Sequence, residues 1–115
     1  MTSPYLANLA AAALGSGLAI TSPTTGVSAT YPVDENAQRE LLKTQVYINT
    51  NGHFPAGQTA WSLPDIAGTP HAIPSTGVFL AIATAVADYV AQLVAIINGS
   101  SSATALPAPT VTLTV

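Results

Sequence analysis

The chain has 115 residues, a formal net charge of −3 and charged side chains at 6% of its positions, against about 25% in typical soluble domains. This length suits one domain with a single core and leaves no room for separate binding and catalytic lobes. Two basic residues offer no positive surface to nucleic acid phosphates, and the absence of cysteine excludes disulfides, thiol nucleophiles and thiolate metal sites. A surface so poor in charge favours a protein that works inside an assembly.

The N-terminal third predicts one helix and two strands. Residues 4–14 begin with a proline, which suits the first helical position, and continue with alanine and leucine up to a pair of glycines. No basic residue precedes this run as it would in a signal peptide, so we expect the helix to be part of the fold. Residues 18–22 alternate with period two and predict a strand, and a second strand is expected at residues 27–31 inside a loop rich in proline and hydroxyl groups.

A second helix is predicted for residues 35–49, opened by Asp34. Its first half carries most of the charge of the chain, and Glu35 and Arg39 have the spacing of an i, i+4 pair. These charges predict a face turned to water. The other side is expected to be buried through Ala37, Leu41, Leu42, Val46 and Ile48.

Two short apolar runs follow, separated by glycine and proline turns. Residues 58–63 and 71–73 predict the strands of a small hairpin or an ordered loop. The first of these runs carries the only tryptophan, Trp61.

The longest apolar segment, residues 76–97, predicts a single helix of roughly 33 Å. Ser75 is a good N-cap, and Asn98-Gly99 supplies the residues that end helices. Apolar side chains recur at alternating spacings of three and four, which defines a heptad seam: Phe79, Ile82, Val86, Tyr89, Leu93 and Ile96. The opposite side is mostly alanine, with a narrow polar line of Thr84, Asp88 and Gln92.

A helix this apolar must be covered on nearly every face. A membrane is disfavoured, because Asp88 lies mid-helix at a cost of about 2.5–3.5 kcal/mol and no basic residue flanks either end. Burial in the core of the same chain is an alternative, but the remaining elements look too few to enclose the helix. We therefore expect self-association through the seam, with a trimer preferred.

The C-terminal residues predict an arm. Residues 100–109 are rich in serine, alanine and proline, as in a linker, and residues 110–115 alternate threonine with valine and leucine, as in a strand with one apolar face. We expect this strand to complete a sheet in a neighbouring subunit, through Val111, Leu113 and Val115. The predicted organisation is one α+β domain over residues 1–99, with three helices and short strands, followed by the linker and arm.

Few residues have the potential for chemistry, and we expect no catalytic site, metal or cofactor. His53, Asp65 and His71 match no metal-ligand spacing, and their histidines are expected to bond within loops. The chain also has no Gly-x-Ser-x-Gly elbow. Asp88 is expected at a surface or rim, because a buried carboxylate without a partner is costly. Trp61 is expected to fill the core together with Tyr31, Tyr47 and Phe54. Alternatively, these aromatic residues form a platform on which a sugar stacks.

A series of short motifs runs in order through the chain: Gly-Leu-Ala-Ile-Thr-Ser at 17–22, Thr-Tyr-Pro-Val-Asp at 30–34, Asn-Gly-His-Phe-Pro at 51–55, Trp-x-x-Pro-Asp at 61–65, Gly-x-x-His at 68–71 and Phe-x-x-Ile-Ala-x-Ala-Val-Ala-Asp-Tyr-Val at 79–90. Over roughly residues 10–98, the series resembles an uncharacterised family of domains in bacteriophage tail and tail-fibre proteins. The resemblance implies a virion component. It implies no reaction, because that family has no assigned catalytic residues.

Composition, the apolar helix and the resemblance together predict a non-enzymatic structural protein of a bacteriophage virion. It would belong to the tail, tail fibre or tail tip, with copies of itself and other virion proteins as partners. Two alternatives stay open: a capsid decoration protein, and a module that recognises host-surface glycan through Trp61.

Overall fold

The chain folds as an α+β domain. The structure is a computed structural model and describes residues 4–114. Three helices and five strands follow in chain order: α1 (Pro4–Ala13), β1 (Leu18–Ser22), β2 (Val27–Tyr31), α2 (Glu35–Asn51), β3 (Trp61–Pro64), β4 (Pro70–Ile73), α3 (Thr76–Ile97) and β5 (Thr110–Thr112), with a single 3-10 turn at Pro55–Gly57. The three predicted helices are confirmed, and so are the strands β1 and β2.

Helix α3 is the centre of the core. Its first turn is capped by the Ser75 hydroxyl, which accepts a hydrogen bond from the Val78 backbone N–H at 3.2 Å. Nine of its 22 residues are buried, and the helical period places all of them on one side. That side packs against α1, α2, β1 and β4 of the same chain. The expectation that the chain has too few elements to enclose the helix is therefore wrong for this side.

Helix α2 is capped at both ends. The Asp34 carboxylate accepts from the Ala37 N–H at 2.8 Å, and Gly52 adopts a left-handed φ of 79° that lets its N–H bond to the Ile48 carbonyl. The buried stripe consists of Leu41, Thr44 and Ile48.

The prediction that Leu42 and Val46 are buried is wrong. Their exposed fractions are 59% and 54%. Only one side of α2 is covered, by α3 and the 3-10 turn. At about 100° per residue, Leu42 is turned away from Leu41 by one step, and Val46 is two steps from both Thr44 and Ile48. The two side chains instead form an apolar pair on the water-facing side.

Strand β1 is the middle strand of a three-stranded sheet. It pairs antiparallel with β2, from Leu18 opposite Tyr31 to Ser22 opposite Val27. On its other edge it pairs in parallel with β5, which is shorter than the predicted six-residue strand. Within the described chain, β5 thus binds to the edge of β1 that is not paired with β2, and we call this edge the seat of β5.

The hairpin of β3 and β4 forms a separate two-stranded sheet. Its turn is held by Asp65, whose carboxylate oxygen Oδ1 accepts from the backbone N–H groups of Ala67 and Thr69, each at 2.9 Å. The Ile66 N–H donates to the Thr30 carbonyl at 2.8 Å and ties this turn to β2. The hairpin is thereby fixed beside the first sheet.

The turn from α1 into β1 depends on Gly17. Its φ of 82° lies in the left-handed region, and a Cβ at this position would lie 2.8 Å from the Tyr31 carbonyl oxygen. Both the backbone conformation and the space therefore require glycine here.

Candidate functional site

The residues of the predicted interface seam lie inside the core of a single chain. Phe79, Ile82, Val86, Tyr89, Leu93 and Ile96 are each at most 5% exposed. This corrects the predicted interface, because a side chain already enclosed by its own chain has no surface to offer a copy. From the predicted arm, Leu113 is also buried, at 8% exposure, Val111 is half-buried, and Val115 lies outside the described residues.

The side of α3 that faces away from the core is a candidate surface for contact with another chain. We call it the outer face, and it consists of Leu80, Ala81, Thr84, Ala85, Ala87, Asp88, Ala91, Gln92, Val94 and Ala95. Most of these side chains are exposed and the others half-buried. Asp88 is exposed, as the sequence predicted, and it is the single charged residue of this face.

Two grooves separate the outer face from the segment that follows α3. The larger, about 630 Å³, lies between the middle of the helix and Pro107, Ala108 and Val111. The smaller, about 380 Å³, lies between the last turns of the helix and residues 101–107. The segment therefore runs back along α3 with a groove on each stretch, and it packs against the core through Leu106 and Val111.

Trp61 lies between the core and a cavity. Its ring is half-buried and stacks on Phe54, with ring centroids 5.7 Å apart and an interplanar angle of 14°. Phe54 is itself 1% exposed and meets Phe79 edge to face. Of the other aromatics proposed beside Trp61, Tyr47 instead contacts His53. The core contact expected for Trp61 is therefore present.

The other surroundings of Trp61 form a cavity of about 380 Å³ between the first half of α2 and the β3–β4 hairpin. We call it the Trp61 cavity. Its polar walls include Asp34, Asn36, Glu40 and Ser62, and its lining holds no basic residue. The volume lies within the range of roughly 300–1,000 Å³ that is usual for small-molecule sites. Carboxylates, an amide and a hydroxyl beside an aromatic ring suit a neutral ligand rich in hydroxyl groups better than an anion.

The two histidines make local hydrogen bonds. The Nδ1 atom of His53 lies 2.8 Å from the Phe54 carbonyl oxygen, and the Nε2 atom of His71 lies 2.8 Å from the Asp65 carboxylate. The bond with His71, followed by those from the turn backbone, lowers the pKa of Asp65. No group of three potential ligands for a metal ion occurs between residues 4 and 114.

Tyr31 is a buried polar residue at the end of β2. It is 2% exposed, and its hydroxyl has no hydrogen-bond partner in the part of the chain that the structure describes. Burial, and secondarily the charge of Asp65, raise the pKa of Tyr31, so the phenol stays neutral. A polar cavity of about 130 Å³ is bounded by Tyr31 and His71, and its size and walls suit water molecules.

Among the described residues, α3 alone is long and apolar enough to cross a membrane, with a mean hydropathy of 2.0 over its most apolar window. This test considers only the length and the composition of the helix, and a core helix of a soluble domain passes it too. The buried side of α3 forms part of the core of the fold.

Comparison of the chain with protein families, curated proteins and solved structures finds no match. Function must therefore be inferred from the surfaces and cavities of this chain and from the order of its motifs.

Proposed function

We propose that the protein is a non-enzymatic structural component of a bacteriophage virion, in the tail, tail fibre or tail tip, and that it assembles with copies of itself. The observation that carries the proposal is the outer face of α3. The seam that the sequence offered for assembly is used by the core of the chain, and most side chains on the opposite side of the same helix are exposed. Assembly is therefore assigned to this outer face.

The chemistry of the outer face supports contact with another helix. Half of its ten residues are alanine, which loses no side-chain rotamer freedom on burial and lets two helix backbones approach closely. Val94 adds an apolar side chain that is 40% exposed, and the neighbouring α1 adds Tyr5 at 73% and Leu9 at 38%. Exposed apolar side chains on two contacting helices, in a chain with seven charged residues, favour association over a free surface.

The assignment to a virion is supported by the motif series, which resembles tail and tail-fibre domains. Other virion proteins are then the further partners. A capsid decoration protein would use the same self-associating surface, and the two virion sites differ in the neighbours that the protein contacts.

Light scattering on the purified protein tests the assembly. The wild type is expected to form a defined oligomer at micromolar concentration, with a trimer preferred. The double variant Ala87→Glu/Ala91→Glu places two carboxylates one helical turn apart on the outer face and is expected to be monomeric, with unchanged helical circular dichroism. Asn49→Glu adds a charge on the exposed side of α2 and should leave the oligomer intact. A folded monomer for the wild type at all concentrations would overturn the proposal.

The Trp61 cavity favours a second candidate function, recognition of a host-surface glycan. Trp61 is held rigid by Phe54, and the polar side chains around it can bond to sugar hydroxyls. With Asp34 and Glu40 in the wall, neutral glycans are expected to bind and sialylated ones to be rejected.

A glycan array tests this second function. The wild type, Trp61→Ala and Ser62→Ala are compared, with Tyr47→Ala as the control because its ring contacts His53 away from the cavity lining. Binding of a neutral glycan that is lost in Trp61→Ala, weakened in Ser62→Ala and kept in Tyr47→Ala is the expected result. If all four proteins give no signal, the glycan function is removed and the assembly proposal is unaffected.

A further inference from the structure

We infer that β5 is exchanged between copies of the chain, so that the strand of one copy occupies the free edge of β1 in another. This inference rests on the proposed self-assembly and specifies how the copies are joined. It concerns the seat of β5, the segment that connects it to α3, and the outer face that this segment borders.

The seat of β5 is a complete binding site for a strand. The Ala19 N–H donates to the Pro109 carbonyl at 2.9 Å, and the Leu113 N–H donates to the Thr21 carbonyl at 2.7 Å. Between these bonds Val111 lies opposite Ile20. Leu113, at 8% exposure, anchors the strand in the core. All of these contacts are with β1 or the core, so a strand from a second copy can make the same ones.

Beyond its first two residues, the connecting segment is held to its own chain by side-chain packing at Leu106 and Pro107 rather than by backbone pairing. Its start is fixed, because the Ser100 and Ser101 N–H groups both donate to the Ala95 carbonyl. From there to Pro109 the described chain has neither helix nor strand, and the two grooves of about 630 and 380 Å³ lie between it and α3. Leu106 packs against the core and Pro107 is half-buried, while residues 102–105 and 108 are exposed. The closed arrangement therefore gains most of the packing of this segment from Leu106 and Pro107.

The length of the segment permits the alternative path. Between the fixed Ser101 and Pro109 there are eight residue steps, which when extended reach roughly 26–29 Å at 3.3–3.6 Å per residue. The whole molecule measures 47 by 27 by 25 Å, so the arm can reach the β1 edge of an adjacent copy.

Exchange also frees the surface that assembly needs. When the segment leaves its own α3, the outer face beside the larger groove is open to a neighbouring helix. The β1 edge stays paired throughout, which avoids the exposed strand edge that invites disordered aggregation. Closed and exchanged forms have the same strand contacts, and the newly covered outer face is the contact that favours exchange in the assembly.

A cysteine pair tests the exchange. The hydroxyl oxygens of Thr21 and Thr112 are 3.5 Å apart on exposed positions, and the chain has no cysteine of its own, so Thr21→Cys/Thr112→Cys places two thiols within disulfide reach. After oxidation of the assembled protein, non-reducing denaturing electrophoresis is expected to show covalent multimers, with a three-chain product preferred. The matched control is Thr21→Cys/Ser28→Cys, which joins neighbours in the β1–β2 hairpin and should run as a monomer.

Mixing two single variants gives a second readout that needs no double substitution. Chains with only Thr21→Cys and chains with only Thr112→Cys are unfolded together, refolded and oxidised. A covalent dimer of the two different chains is expected, and each variant alone should give far less.

The outcomes separate the exchange from the proposed function. A wild-type oligomer whose Thr21→Cys/Thr112→Cys form contains only disulfides within one chain overturns the exchange and leaves the assembly proposal standing. A wild-type monomer, with the disulfide again within one chain, overturns both.

Discussion

Truncation of Leu93 distinguishes a core role for the seam of α3 from an interface role. The side chain is fully buried inside one chain. Leu93→Ala removes three carbon groups, worth about 2.4 kcal/mol of transfer free energy at about 0.8 kcal/mol each. The cavity left behind raises the expected loss in the free energy of unfolding to about 3–5 kcal/mol. That is a large part of the roughly 6–17 kcal/mol typical of a domain of this size.

Urea denaturation followed by the fluorescence of Trp61 measures this loss. With a urea m-value of about 1–3 kcal/mol/M, the midpoint should fall by roughly 1–5 M. Because the lost contacts lie within one chain, the decrease should be the same at low and high protein concentration, whereas a lost interface contact makes the decrease depend on concentration. The neighbouring exposed residue provides the control, since Gln92→Ala should change the free energy of unfolding by less than about 0.5 kcal/mol. A decrease for Leu93→Ala that vanishes in dilute solution would refute the core assignment.

Three further predictions concern single side chains. Gly17→Ala should lower the thermal midpoint more than Gly26→Ala, since both have positive φ but only at Gly17 would the added Cβ approach a carbonyl oxygen to 2.8 Å; equal decreases would contradict the steric argument. Asp34→Ala removes the N-cap of α2 and should cost about 0.5–2 kcal/mol in urea denaturation, whereas an unchanged midpoint would mean that the cap contributes nothing. The pKa of Asp65 is lowered in the fold, so its contribution is present above the ordinary value of 3.8 and is lost as pH falls through the lower folded value; Asp65→Asn should therefore flatten the acid limb of stability against pH, and an unaltered limb would argue against the pair with His71.

The sequence predicted the elements of the fold because their signals are local. Ser75 and Asp34 occupy the N-cap positions expected at the starts of α3 and α2, and the period-two run at residues 18–22 matches β1. What covers each element is not a local property. The seam of α3 fits a partner helix and the core of its own chain equally well, and only the positions of α1, α2 and the strands decide for the core.

The same limit applies to individual side chains at the candidate sites. Leu42 and Val46 look like core residues by type, and their exposure follows from α2 being covered on one side alone. Tyr31 was expected beside Trp61 because of its residue type, and its unpaired hydroxyl becomes visible only once β2 and β4 are placed side by side. Trp61 was singled out by residue type, and the cavity beside it is created by α2, which is far from it in sequence.

The placement of both basic residues on the exposed side of α2 has a practical consequence. Trypsin cleaves after arginine and lysine, so its only sites in the chain follow Arg39 and Lys43, four residues apart on α2. Each of these side chains makes a weak, exposed ion pair. A protease cuts a helix only where the helix has opened, so the rate of tryptic cleavage of the protein measures how readily α2 opens. Lys43 is likewise the one side-chain amine, which gives amine-reactive dyes a defined attachment point on a face opposite the helix's buried stripe.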